Sequence, residues 1–169
     1  MKELLNKLKA CQEAMEWAGD KSWQEIYNTC HRGDWLLWLF KRTNPDDLQL
    51  LTLAKGHCAN TVRHLMKDER SIKAVDAAIA FGEGKISRDE LDAADASDGA
   101  AYAAVSAAAD DAAYAAYDAA AGGTYAAVGA AYAAYAAASS DDAKKENQQL
   151  TADICRKYLP IEVWNIEKR

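Results

Sequence analysis

The chain has 169 residues, four Cys, two Pro and a formal charge of -6, which sets the expectation at one domain of ordinary size. Half of the residues are hydrophobic, but much of that half is Ala, so little apolar area can be buried per residue and the core is thin in places. This composition excludes a disulfide-stapled miniprotein, a collagen-like or Pro-rich chain and a basic nucleic-acid binder.

The N-terminus alternates charged with apolar residues and lacks the apolar run and small-residue cleavage site of a secretory signal, so cytoplasmic residence and reduced thiols are expected. The uncharged stretch Ala119 to Ser140 is built from Ala, Ser, Thr and Tyr around Gly122-Gly123, which are weak drivers of insertion, and no membrane role is expected. Acidity is concentrated. Residues 93–142 carry seven Asp and no basic residue, whereas the segments before and after them are close to neutral. Such a segment repels a phosphate backbone.

Helical periodicity runs through nearly the whole chain, and no strand pattern is present. Leu4, Leu5, Leu8, Cys11, Met15 and Ala18 form one stripe, which predicts a helix from Lys2 to Ala18 ended by Gly19. Trp23 to Cys30 forms a short second helix. Gly33-Asp34 reads as a stop followed by an N-cap for Trp35 to Arg42. Asn44-Pro45-Asp46-Asp47 is a helix start, with Pro at the first helical position and acids in the first turn. Leu51, Ala54, Cys58, Val62 and Leu65 then mark one helical face. Another helix begins at Asp68 and fades at Phe81-Gly82-Glu83-Gly84. Ser87-Arg88-Asp89-Glu90 has the form of a capping box and opens the Ala-rich half.

From Ala93 to Ala138, 26 of 46 residues are Ala, and six of the eight Tyr lie there. Ala is the best helix former, so this segment is expected to be helical. Ala101, Ala104, Ala108, Ala112, Ala115 and Ala119 share a stripe that lets a neighbouring helix approach closely. The sequence Ala-Ala-Tyr-Ala-Ala-Tyr occurs at Ala112 and again at Ala130, and Gly122-Gly123 between the copies predicts an Ala/Tyr helical hairpin. Ser139-Ser140-Asp141-Asp142 starts a last helix, whose face continues through Leu150, Ile154, Cys155 and Tyr158 to Pro160. The expected architecture is an all-α, single-domain bundle of about seven or eight helices, with Trp-rich mixed helices over 1–86 and the hairpin and C-terminal helix over 87–169.

The run Leu53-Ala54, Cys58-Ala59 and Val62, then Asp68-Glu69-Arg70, then Ala74 to Phe81 before a Gly and an Ala-rich hairpin, resembles the immunity-protein domain of bacterial polymorphic toxin systems. The N-terminal pattern around Cys11, Trp17 and Cys30 to Trp38 looks like one found in phage and bacterial proteins with the same Ala-rich tail. The resemblance implies a small intracellular helical protein that acts by binding and blocking something, and it brings no catalytic residues.

Cys30-His31 and His57-Cys58 have no common zinc spacing, and adjacent helical residues point about 100° apart. Core thiols at Cys58 and Cys155 are the preferred reading, and neither a metal nor a cofactor is expected. Nothing positions a base or an oxyanion hole beside His31, His57 or His64, and no phosphate loop is present, so an enzyme is not expected. Trp17, Trp23, Trp35 and Trp38 fall within 22 residues, and the run Trp35 to Phe40 is apolar on every side, which places it in the core or partly in an interface.

Two binding roles follow. A protein-binding inhibitor of immunity or anti-defence type would present Asp110, Asp111, Tyr114, Tyr117 and Asp118 to a basic protein partner. A small-ligand sequestering protein of phage type would grip a phosphorylated molecule or nucleotide signal with Arg63, Lys67, Arg70 and Lys73. The Ala helices could also pair copies of the chain into a homo-oligomer.

Overall fold

In a computed structural model, residues 1–66, 69–95 and 140–166 are described. Every regular element among them is helical, in agreement with the expected all-α bundle, and none of these helices is long and apolar enough to cross a membrane. The Ala/Tyr hairpin expected over 93–138 lies almost entirely outside the described residues.

The first predicted helix is two. α1 (Lys2–Lys7) and α2 (Gln12–Ala18) are separated by a turn in which Lys9 takes the left-handed conformation, φ 61°. The Ala10 N–H donates to the Leu5 carbonyl and the Lys9 N–H to the Asn6 carbonyl, both at 3.0 Å. This pair of bonds is the Schellman closure of a helix. The apolar stripe continues across the break, with Leu5 and Ala18 buried and Leu8 and Met15 packed on the same core. Periodicity therefore survives the turn and conceals it.

α3 (Trp23–Thr29) opens with a capping box in which the Ser22 hydroxyl accepts from the Glu25 N–H and the Glu25 carboxylate accepts from the Ser22 N–H. The Ser22 N–H and hydroxyl, both donating to the Glu25 carboxylate at 2.7 Å, hold it below its ordinary range. The C-terminal end of α3 is closed by a distant residue. Arg156 donates to the carbonyls of Tyr27, at 2.7 Å, and Cys30.

α4 (Gly33–Thr43) begins two residues earlier than the stop-and-cap reading of Gly33-Asp34 predicts. Gly33 is the first helical residue, and α4 crosses the C-terminal helix there. A Cβ on Gly33 would lie 2.6–2.7 Å from Thr151. Asp34 is not a cap; it pairs with Arg32. Asn44 also departs from expectation. It ends α4 rather than capping the next helix, and its buried side chain bonds the Asp47 carboxylate, the Val163 carbonyl and the Asn165 N–H. α5 (Leu48–Asn60) starts only after Asp47.

α5 ends before Val62 and Leu65, which the stripe had included. A 3-10 turn (Arg63–Leu65) follows, with Val62 buried and Leu65 exposed. α6 (Glu69–Gly82) packs antiparallel on α5 through two glycines, Gly56 against Ile79 and Gly82 against Leu53, where added Cβ atoms would lie at 2.9 and 2.4 Å. The predicted capping box at Ser87 and Glu90 is formed, and helix α7 runs from 88 to 95 within the described residues. α8 (Asp141–Tyr158) is capped by Ser140, as its sequence predicts.

Two apolar cores result. The larger gathers Leu36, Leu37, Phe40, Leu51, Cys155 and Leu159 from α4, α5 and the C-terminal region. Trp164 closes it, its ring 4.8 Å from Trp23 and 5.0 Å from Phe40, and its indole N–H donates to Leu159. The smaller core joins Ala59, Val62, Ala74, Val75, Ala78 and Leu91. Cys58 and Cys155 are fully buried free thiols in the larger one.

Candidate functional site

The all-round apolar run of α4 divides its work between two surroundings. Leu36, Leu37, Leu39 and Phe40 are buried, whereas Trp35 and Trp38 are half-buried and line a cleft of about 400 Å³. The turn between α1 and α2 contributes Lys9, Ala10 and Cys11, and α2 contributes Glu13, Ala14 and Trp17. The break at Lys9 is what brings this turn to the cleft. An unbroken helix would carry Leu5 and Trp17 on one straight rod.

The indoles pack as a group. Trp17 and Trp35 lie 5.8 Å apart, and the exposed His31 ring sits 6.0 and 6.2 Å from them. Each cleft tryptophan also carries a cation of the chain: Lys21 is 4.7 Å from Trp17, Arg32 is 4.6 Å from Trp35 and Arg42 is 5.8 Å from Trp38. These contacts fix the rings by cation–π attraction.

The polar groups are few and mostly engaged. Arg32 donates to both oxygens of Asp34, at 2.8 and 2.7 Å, and to Glu13 at 3.2 Å. Asp34 is buried, so its fork-like pairing with the guanidinium compensates a charge that would otherwise be costly. The Cys30 thiol donates to the Arg32 carbonyl, and burial pushes it up to about 11, which leaves it protonated at neutral pH. Lys9 is exposed, and among the described residues no carboxylate pairs with it.

The sequence-predicted basic cluster lies elsewhere. Arg63 stands in the 3-10 turn, Arg70 and Lys73 on α6, and Lys67 falls outside the described residues. Asp76 takes the Arg63 guanidinium with both oxygens, at 2.5 and 2.9 Å, and Arg70 is engaged too. The predicted partner face, Asp110, Asp111, Tyr114, Tyr117 and Asp118, lies outside the described residues. The cleft was signalled in the sequence by its concentration of Trp and by the N-terminal pattern that includes Glu13, Ala14 and Trp17; Lys9 carried no signal of a site.

Comparison with protein-family models, with curated proteins and with solved structures finds no match for this chain. The immunity-protein resemblance thus has no support beyond the residues that suggested it.

Proposed function

We propose that this chain is a non-enzymatic binding protein whose site is the tryptophan-lined cleft, and that the cleft takes a small, flat, largely apolar molecule. One observation carries the reading: a cavity of about 400 Å³ walled by Trp17, Trp35 and Trp38 with a few polar groups in its lining. Small-molecule sites are typically concave, roughly 300–1,000 Å³, and apolar with sparse polar anchors. A binder is favoured over a catalyst because Asp34 and Glu13 are held by Arg32, and burial keeps the Cys30 thiol from ionising.

The immunity-type or anti-defence inhibitor, which acts by stoichiometric protein binding, is the second reading. It is supported by the resemblance and by the acidic, Tyr-bearing run from Asp110 to Asp118. Native mass spectrometry of the full chain, purified gently from a cell lysate, separates the two. A small-molecule mass excess, lost in an Ala14→Phe variant whose ring fills the cleft, supports ligand binding. A protein-sized excess that survives Ala14→Phe supports the inhibitor. Bare subunits that also fail to bind an apolar naphthylamine dye overturn the cleft as a ligand site.

A further inference from the structure

We propose that the ligand of the cleft is an amphipathic monoanion, an apolar body ending in a carboxylate or similar head group, and that Lys9 is the residue that holds the head. The inference rests on the reading of the cleft as a binding site and adds the charge class of its ligand.

Lys9 occupies a position where lysine is a poor choice for the backbone. Of the described residues with positive φ, Gly19 and Gly84 are glycines, at 50° and 73°, and Lys9, at 61°, is the third. The left-handed residue of a Schellman closure is usually Gly, because a side chain there crowds the backbone. This lysine is exposed and lines the cleft, where an ammonium can meet a ligand.

The remaining charges make Lys9 the available anchor. Arg32 is shared between Asp34 and Glu13, so its guanidinium is already answered. Glu13 is answered by the same guanidinium at 3.2 Å. Lys9 is the one exposed cation lining the cleft, and no described carboxylate pairs with it. A cationic ligand fits poorly, because Trp17, Trp35 and Trp38 already hold Lys21, Arg32 and Arg42. Of these, Lys21 and Arg42 add to the positive field that an anionic head would meet. The apolar walls receive the rest of the molecule.

The test uses two fluorescent probes with one skeleton, anilinonaphthalene sulfonate, which is anionic, and phenylnaphthylamine, which is uncharged. The full chain is titrated with each, as wild type and as Lys9→Gln and Lys9→Gly. Wild type is expected to bind both, with the anion preferred by about fivefold, the effect of one partly exposed ion pair, and with the preference shrinking at high salt. Lys9→Gln should abolish the preference while leaving the neutral probe unaffected. Lys9→Gly should do the same without any loss of thermal stability, which separates the head-group role from a structural one. Equal affinities in wild type, or a preference that survives both substitutions, would overturn the proposal while leaving the cleft as a site. Failure of both probes to bind would overturn the cleft reading itself.

Discussion

Gly33→Ala tests how the cleft is framed, because Gly33 stands between Arg32 and Asp34 at the point where α4 crosses α8. An added Cβ would lie 2.6 Å from the Thr151 hydroxyl oxygen and 2.7 Å from both its Cβ and its carbonyl carbon. Ordinary contact begins near 3.4 Å, a shortfall of about 0.8 Å, and a backbone carbon cannot rotate away. A clash against backbone falls in the upper part of the overpacking range, about 2–3 kcal/mol, and the higher helix propensity of Ala returns up to about 1 kcal/mol. The net expectation is a loss of about 1–2 kcal/mol, which for a chain of this size lowers Tm by about 2–8 °C. Circular dichroism melts at 222 nm, with urea unfolding as a second measure, read the change. Displacement of the α4 N-terminus should also weaken binding of the neutral naphthylamine probe, since Trp35 and Trp38 move with it. A Gly33→Ala protein that melts at or above the wild-type temperature would refute the tight crossing of α4 on α8.

Arg156→Met should destabilise the chain by about 2–3 kcal/mol, because the carbonyls of Tyr27 and Cys30 at the end of α3 lose a charged donor; an unchanged urea midpoint contradicts that role. Native protein should show one fast thiol with Ellman's reagent, that of the exposed Cys11, and all four only after denaturation. Burial raises the Cys30 thiol from 9.0 to about 11, so its contribution to stability is complete below pH 9 and lost as pH rises toward 11; Cys30→Ala should flatten the fall of Tm across that window. His57, stacked on Tyr158 at 4.1 Å, is held below its ordinary 6.5 by burial and then by Lys157. Its contribution is present above pH 6.5 and lost as pH falls, so His57→Phe, which keeps the stack, should reduce acid destabilisation in melts taken from pH 7 to pH 5.

What could be read in advance was local. The capping box at Ser87 and the cap at Ser140 depend on residues three positions apart; the face predicted for α8 holds at Cys155 but not at Leu150, which is exposed while Thr151 and Ala152 are buried. The misreadings share a cause, which is that a distant partner decides what a residue does. Gly33 looked like punctuation, but its small size serves Thr151; Asn44 looked like a helix start, but its amide answers Val163 and Asn165. The break at Lys9 was hidden twice over, since the apolar stripe runs through it and the left-handed residue is not a glycine. The cluster of Trp announced an aromatic region, yet its division between core and cleft follows from where α2 and α4 settle against each other. Trp23, half-buried, packs on the buried Trp164 away from the cleft, while Trp17, Trp35 and Trp38 line the opening.

That division supplies the most direct test of the cleft as a ligand site. The chain has five tryptophans, so a nitrogen-15 correlation spectrum shows five indole N–H signals, assignable with single Trp→Phe variants. Addition of the neutral naphthylamine probe should shift the signals of Trp17, Trp35 and Trp38 and leave those of Trp23 and Trp164 in place. Unmoved signals from the three cleft indoles, or shifts led by Trp23 and Trp164, would contradict it.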